Sequence, residues 1–197
     1  MNKSVKRQPG KIVVLSGPSG SGKTTLHNSL LRDKTISKKL VKIVSATTRK
    51  CRGKEKTGQH YLFFTKKDFL HRVERGYFLE WQKVFSDYYG TPRAQVEKIL
   101  KSGRNVLLCI DVKGAKVIFR NFKDALSIFI KAPSVAALKN RLQKRGTEDK
   151  RIISRRLAVA KKEMKEATHY CYVVVNDDLQ KAVSKLKNII KNELRIS

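Results

Sequence analysis

Residues 17–24 read GPSGSGKT, between the apolar run KIVVLS (11–16) and the segment TLHNSLL (25–31). This stretch of glycine and serine favours neither a helix nor a strand. Its spacing, Gly17, four residues and then Gly22-Lys23-Thr24, is that of a phosphate-binding loop. Glycine permits the curl that turns backbone N–H groups inward, and the helix that follows adds its positive end. The sequence therefore predicts that nucleotide phosphates bind to Gly17, Pro18, Ser19, Gly20, Ser21, Gly22, Lys23, Thr24 and Thr25.

Three side chains in this region are candidates for chemistry at the phosphates. Lys23 would reach the β- and γ-phosphates, and the hydroxyl of Thr24 would face Mg²⁺. Asp111 follows the apolar run NVLLCI, at the end of a neighbouring strand, where a carboxylate could serve the metal or the acceptor phosphate. A helix N-cap is the alternative role for Asp111, and the two roles are compatible. We therefore predict a Mg²⁺ cofactor with Thr24 and Asp111 as its protein ligands.

Outward from the loop, apolar runs alternate with helical patterns, which is typical of a parallel sheet wrapped by helices. Strands are expected at 11–16, 41–45, 105–110, 125–130 and 172–175, and helical stripes at 135–142 and 179–194. Residues 45–91 break this rhythm with short strand candidates, and 141–165 are crowded with arginine and lysine. We predict an α/β phosphate-loop kinase fold in which an insert and a lid close over two ligands.

The expected division of the chain has four parts. Residues 1–10 form a basic N-terminal extension, and 11–44, 92–140 and 166–197 form the core with its parallel sheet flanked by helices. Residues 45–91 form a small mixed α+β insert, and 141–165 form a basic helical lid.

Composition narrows the class of protein. The 197 residues carry a net charge of +29 and 40% apolar residues, so the chain can bury a core and attracts polyanions. A generally cationic surface explains the charge equally well. Cys51, Cys109 and Cys171 lie far apart, which argues against a disulfide framework or a zinc site and suits a reducing cytoplasm. No apolar run reaches a signal-peptide core or the roughly 20 residues of a membrane span, so a cytoplasmic location is expected.

Eight segments resemble the guanylate kinase family in order and spacing, and the resemblance covers about residues 11–194. They are SATTRKCR (45–52), GQHYLFF (58–64), GYFLEW (76–81), DYYGTP (87–92), LLCIDVKGA (107–115), RGTE (145–148), ISRRL (153–157) and VVVNDDL (173–179). The resemblance implies a cytosolic enzyme of purine nucleotide metabolism that transfers phosphate from ATP to GMP. It also implies that GMP is bound by Ser45, Arg49, Arg52, Tyr61, Glu80, Tyr89, Thr91 and Asp111. Asn176 would contact the adenine of ATP.

The chemistry of these residues suits GMP. Two guanidinium groups, Arg49 and Arg52, match a dianionic phosphate, and tyrosine hydroxyls can donate to the same oxygens. Glu80 lies in the apolar run FLEW, where a carboxylate needs a partner, and guanine offers adjacent donors at N1 and N2. Ser45 and Thr91 could donate to O6. AMP would leave Glu80 unpaired, and a mismatch of this kind can cost ~10⁴-fold in specificity.

Catalysis would need no general base, because the nucleophile is a phosphate oxygen that is largely ionised near neutral pH. Positioning and neutralisation of charge remain as the tasks of the protein. The residues expected to perform them are Lys23, Arg49, Arg141, Arg145, Arg155 and Arg156.

Three departures from the family pattern stand out. Cys51 and Lys54 replace the usual Pro and Gly beside Arg52, and His60 replaces a common Asp. Cys109 replaces an acidic residue found in many relatives, which leaves Glu80 and Asp111 as the remaining carboxylates near guanine.

Other functions stay open from the sequence. One alternative is a kinase of another small phosphate ester, which would not need Glu80. A second is a non-catalytic guanylate-kinase-like scaffold that binds phosphopeptides, although such domains typically have a degenerate phosphate loop. The expected partners are the small molecules ATP and GMP, with no specific nucleic acid and no membrane, and the expected state is a monomer or homodimer.

Overall fold

The structure is a computed structural model that describes residues 9–144 and 150–196. Its strands are β1 (Ile12–Ser16), β2 (Leu40–Lys42), β3 (Ala46–Thr47), β4 (Leu62–Phe63), β5 (Phe78–Val84), β6 (Asp87–Pro92), β7 (Asn105–Cys109), β8 (Leu126–Lys131) and β9 (Tyr172–Val175). Its helices are α1 (Lys23–Leu31), α2 (Lys34–Lys39), α3 (Lys66–Glu74), α4 (Arg93–Lys101), α5 (Val112–Asn121), α6 (Val135–Lys144), α7 (Lys150–Lys165) and α8 (Leu179–Leu194). A 3₁₀ helix at Glu166–His169 follows α7.

The larger sheet is parallel throughout and has the strand order β2-β7-β1-β8-β9. β1 is its central strand and is completely buried, because its five residues are apolar apart from the terminal Ser16. The predicted α/β class with a parallel sheet is therefore confirmed. The second strand ends at Lys42 rather than at 45, since the chain leaves the large sheet there to enter a second one.

Alternate residues of β1 pack on opposite faces of the sheet. Val13 and Leu15 belong to a cluster completed by α1, α2 and α8, whereas Ile12 and Val14 belong to one completed by α4 and α5. Helices thus cover both faces, as parallel sheets require. The carboxyl ends of β1 and β7 remain at one edge, next to the phosphate-binding loop.

The second sheet is mixed and has the order β4-β3-β6-β5. Its own small core contains Ala46, Phe69 and Phe78, and the rings of Phe69 and Phe78 stack at 4.4 Å between centroids. β5 and β6 form a hairpin whose turn residue Phe85 has a positive φ of 57°. This strained position holds the Phe85 side chain at the tip of the hairpin.

α6 and α7 pack against each other through a further apolar cluster around Leu138 and Ala160. Within residues 9–144 and 150–196, no helix is long and apolar enough to cross a membrane. Along the same stretch of α7, Arg156, Val159 and Glu163 line the cavity described next.

Candidate active site

The phosphate-binding loop curls between β1 and α1, as the sequence predicted. Gly17, Gly20 and Gly22 have φ values of 140°, 85° and 93°, which are strained for other residues. The ammonium of Lys23 donates to the carbonyl oxygens of Gly17 (2.6 Å) and Pro18 (3.0 Å). Lys23 is therefore held across the loop, at the start of α1, where phosphate oxygens would approach the backbone N–H groups.

Two predicted nucleotide-site residues brace the loop from behind. The side-chain amide of Asn176, which is buried at the end of β9, donates to the carbonyl of Ser21 at 2.8 Å. Arg141 donates to the carbonyl of Asn176 at 2.7 Å and to that of Ser21 at 3.4 Å. Neither side chain is among those that line the cavity beside the loop, so their predicted contacts with ATP remain predictions.

A cavity joins the loop to the second sheet. On the side of the loop it is lined by Gly17, Ser19, Gly20, Gly22, Lys23, Thr24 and Thr25. On the other side it is lined by Ser45, Tyr61, Glu80, Tyr89, Asp111 and Arg156, among others. An adjoining cavity is lined by Arg49, Arg52 and Arg155 and shares Ser45, Tyr61, Tyr89 and Arg156 with the first. The fold thus brings residues that are distant in sequence to one cleft.

Glu80 is the buried carboxylate of this cleft and is 5% exposed. The hydroxyl of Thr91 donates to its Oε1 at 2.6 Å, across the β5–β6 hairpin. Burial raises the pKa of Glu80 to about 7; Thr91 acts in the opposite direction, and the nearby Asp111 adds to the rise. A carboxylate with one donor in an apolar wall favours a ligand that brings further N–H donors.

Asp111 caps α5. Its Oδ1 accepts a hydrogen bond from the N–H of Gly114 at 2.9 Å, so the N-cap role that the sequence left open is present. The same side chain is half-buried and lines the cavity opposite the loop. Its second oxygen, Oδ2, is the one that is left to bind a ligand.

Arg49 forms an ion pair with Glu55 in which Nη2 donates to both carboxylate oxygens, at 2.8 and 2.9 Å, while Nη1 donates to the carbonyl oxygen of Lys50 at 2.6 Å. The backbone N–H of Arg52 donates to Oε2 of the same carboxylate at 2.8 Å. Burial raises the pKa of Glu55, but these donors outweigh burial and hold that pKa below its usual value. The carboxylate of Glu55 therefore occupies donors of Arg49 and Arg52 that would suit a phosphate.

Two tyrosines complete this part of the cleft. The rings of Tyr61 and Tyr89 meet edge to face at 6.1 Å, and the guanidinium of Arg49 lies 5.4 Å from the centre of the Tyr61 ring. Burial is the main cause that raises the pKa of Tyr61 to about 12, so its hydroxyl remains a hydrogen-bond donor at neutral pH.

The inner face of α7 carries Arg156 and Glu163, which both line the cavity, and Arg155 lines the adjoining one. The guanidinium of Arg156 lies 5.4 Å from the centre of the Phe85 ring, at the tip of the β5–β6 hairpin. Burial raises the pKa of Glu163 to about 7. Arg145, the remaining predicted arginine, lies outside the described residues.

Sequence reasoning missed three residues of the cleft. Glu55 is a lone acid in the basic segment RKCRGKEK, and Glu163 follows Arg156 at a spacing of two helical turns. Gly114 lies inside α5, where a glycine costs about 1 kcal/mol relative to alanine and so indicates a close packing contact. That contact is Glu80: a Cβ at Gly114 would lie 2.5 Å from its Oε2.

A phosphate-binding loop on a parallel sheet, a second sheet with a buried carboxylate and a basic helix across one cleft define a nucleoside monophosphate kinase. Comparisons with known proteins identify the family within this class. A guanylate kinase family model matches residues 9–193. The guanylate kinase of Caldanaerobacter subterraneus is 42% identical over 95% of this chain and 89% of its own. That of a Wolbachia species is 44% identical over 93% of both chains. A crystal structure of guanylate kinase from Anaplasma phagocytophilum covers 95% of this chain and 87% of its own, at 34% identity and a TM-score of 0.78. The chain belongs to the guanylate kinase family, the ATP:GMP phosphotransferases.

Proposed function

We propose that the chain transfers the γ-phosphoryl group of ATP directly to GMP, with one set of residues for the donor and another for the acceptor. The observation that carries the proposal is the buried carboxylate of Glu80, which is held by Thr91 and lines the same cavity as Lys23. One cleft thus offers a site for a donor triphosphate and a hydrogen-bonding site that suits guanine.

The acceptor GMP would lie across the second sheet. Its phosphate would bind Arg49, Arg52, Tyr61 and Tyr89, replacing the carboxylate of Glu55 in the fork of Arg49. Its base would bind Glu80 through N1–H and the N2 amino group, while Ser45 donates to O6. Thr91 would position Glu80 rather than donate to O6, because its single hydroxyl proton is donated to that carboxylate. Asp111 would also lie beside GMP, at the part of the site where Cys109 offers no carboxylate. Glu80 must then be ionised, so its own deprotonation accompanies binding of the base.

The donor ATP would bind residues 17–25, with Asn176 near the adenine. Lys23 would leave the carbonyls of Gly17 and Pro18 to meet the β- and γ-phosphates. Arg141, Arg145, Arg155 and Arg156 would then neutralise the charge of the transferring group, together with Arg49. A phosphate oxygen of GMP attacks in line, so no side chain needs to remove a proton.

As an ATP-using kinase the protein would employ Mg²⁺, and the residues present fit this ion. The hydroxyl of Thr24 at the start of α1 and the free oxygen of Asp111 are hard ligands, which Mg²⁺ prefers beside substrate phosphates and water. Bound there, the ion would offset the negative charge of the phosphates.

Several coarser features belong to the same proposal. Residues 45–91 would act as the GMP-binding insert and 141–165 as the lid, on a core formed by the rest of the chain. We also propose a cytoplasmic monomer or homodimer without a specific nucleic-acid partner or membrane contact. The alternative functions gain no support, since the relatives reported above are guanylate kinases and the loop keeps both Lys23 and Thr24.

The test is a coupled assay of ADP release with ATP, Mg²⁺ and either GMP or AMP. Turnover with GMP and little turnover with AMP is expected. Binding of GMP without phosphorylation of either nucleotide would contradict the proposal, support a scaffold, and direct attention first to Cys109.

A further inference from the structure

Glu163 is a partly buried carboxylate that has no role in the reaction described above. It projects from α7 into the cavity that Gly17, Ser19 and Lys23 also line. The charge environment there is mixed. Burial is the largest influence and raises the pKa of Glu163, and Asp111 acts in the same direction, whereas the ammonium groups of Lys23 and Lys113 and the backbone N–H of Ser19 favour the ionised form. Tyr170 also lies within its electrostatic range, and Arg156 shares its helix and the cavity.

The groups that favour the carboxylate are those that a triphosphate would use. An N–H of a phosphate-binding loop and the lysine at its end are anion receptors, because they present donors and positive charge at one point. A carboxylate and a phosphate oxygen cannot both occupy such a receptor. Two anions in that place would repel each other in a cleft that is only partly screened by water.

Glu166, on the 3₁₀ helix that follows α7, is a useful contrast. Its carboxylate accepts from Lys116 at 2.8 Å and lies 3.1 Å from His169. These partners belong to the surface, and Glu166 does not line the cavity. Comparing a substitution at Glu163 with one at Glu166 therefore separates the effect of a charge in the cavity from the effect of a surface charge nearby in the chain.

We propose that Glu163 is a built-in competitor at the phosphate-binding loop: its carboxylate holds part of the ATP phosphate site in the ligand-free protein and must withdraw before the triphosphate binds. The inference rests on the proposed function only in taking residues 17–25 as the ATP phosphate site. Where Glu163 withdraws by movement of α7, binding of ATP is coupled to the position of Arg155 and Arg156 on the same helix.

The experiment measures binding of metal-free inorganic tripolyphosphate and metal-free ATP by titration calorimetry. It compares the wild-type protein, Glu163→Gln, Glu163→Ala and the matched control Glu166→Gln. At pH 8, where the carboxyl of Glu163 is largely ionised, we expect both substitutions at 163 to tighten binding of each probe about tenfold, the effect of removing one like charge at close range. The control should change binding less than twofold, since it removes the same charge at the surface.

An increase in affinity is a result that damage to the fold does not produce. Unchanged or weaker binding in both variants at 163, with a cooperative melting transition retained, would overturn the proposal. If Glu163→Gln alone fails to fold, Glu163→Ala decides the question. GMP binding, measured in parallel, depends on other residues and should be unaffected. Tripolyphosphate binding also needs no turnover, so the result is separable from failure of the phosphotransfer assay with GMP.

Discussion

At the scale of single residues, Glu80 makes the sharpest prediction. Replacing it with Gln exchanges one of its two acceptor oxygens for an amino donor that would oppose a guanine N–H, so KM for GMP should rise roughly 10- to 100-fold while KM for ATP stays constant. Steady-state kinetics with each substrate varied in turn measure this split. The control is Glu97→Gln, which removes an exposed carboxylate 3.9 Å from Arg93 on α4. Equal changes in both KM values would show that Glu80 supports the fold rather than the base.

The pKa of Glu80, raised to about 7 by burial, gives the direction of its pH dependence. Below pH 7 the carboxyl is largely protonated and is a poor acceptor, so the wild-type advantage over Glu80→Gln in binding GMP should grow as the pH rises through 7. The phosphate of GMP titrates near pH ~6 in both experiments, and the ratio of the two affinities cancels its effect. A ratio that does not vary between pH 6 and 8 would contradict this assignment.

The close contact between Gly114 and Glu80 gives a second prediction for a single residue. A methyl group there would meet Oε2 of Glu80 at 2.5 Å, so Gly114→Ala should displace the carboxylate and raise KM for GMP at least about tenfold. Helix propensity favours Ala by about 1 kcal/mol, so the melting temperature should not fall in proportion to activity. Shortening the acid with the double variant Gly114→Ala/Glu80→Asp should recover part of the loss. An unchanged KM in the single variant would show that the carboxylate moves freely.

At the scale of elements, the contribution of α7 to the free energy of unfolding depends on pH. The pKa of Glu163 lies near 7 in the fold, because of burial, against an ordinary 4.5. An acid with a raised pKa favours the fold when protonated, so its contribution worsens as pH rises from 4.5 to 7 and is constant above. Glu163→Gln should therefore stabilise the ligand-free protein by about 1–3 kcal/mol at pH 8 and by nothing at pH 4. Denaturant titrations at both values measure the difference, and an equal gain at the two would contradict this origin.

The elements also explain what the sequence could and could not predict. The β1–loop–α1 unit was predictable because its chemistry is local: glycine spacing, a strand before and a helix after. The pairing of Arg49 with Glu55, the contact of Glu80 with Gly114 and the approach of Glu163 to Ser19 were not. The first depends on the conformation of the turn between β3 and β4, and the other two depend on the angle at which one element packs on another. Asn176 illustrates the point, since its side chain meets Ser21 behind the loop rather than the cavity.

At the scale of the whole molecule, the charge of +29 predicts binding to polyanions that is sensitive to salt and indifferent to sequence. Fluorescence anisotropy with short duplexes of unrelated sequence should give equal affinities at 50 mM salt and no binding at 500 mM. Turnover with GMP should persist at the higher salt, because the cleft residues are partly shielded from solvent. A duplex preferred over others at both salt concentrations would instead indicate a specific nucleic-acid partner.

The contact between Phe85 and Arg156 should limit the rate at which nucleotides bind. The hairpin tip and α7 meet through this contact, and both residues line the two cavities. We expect a nucleotide to enter only when this contact separates, a step that the attraction of a cationic protein for nucleotides does not accelerate. We expect capture rates in stopped-flow mixing to level off as nucleotide concentration rises, with a ceiling that Phe85→Ala lifts. A capture rate that rises linearly with nucleotide concentration, without a ceiling, would show that this contact does not limit entry.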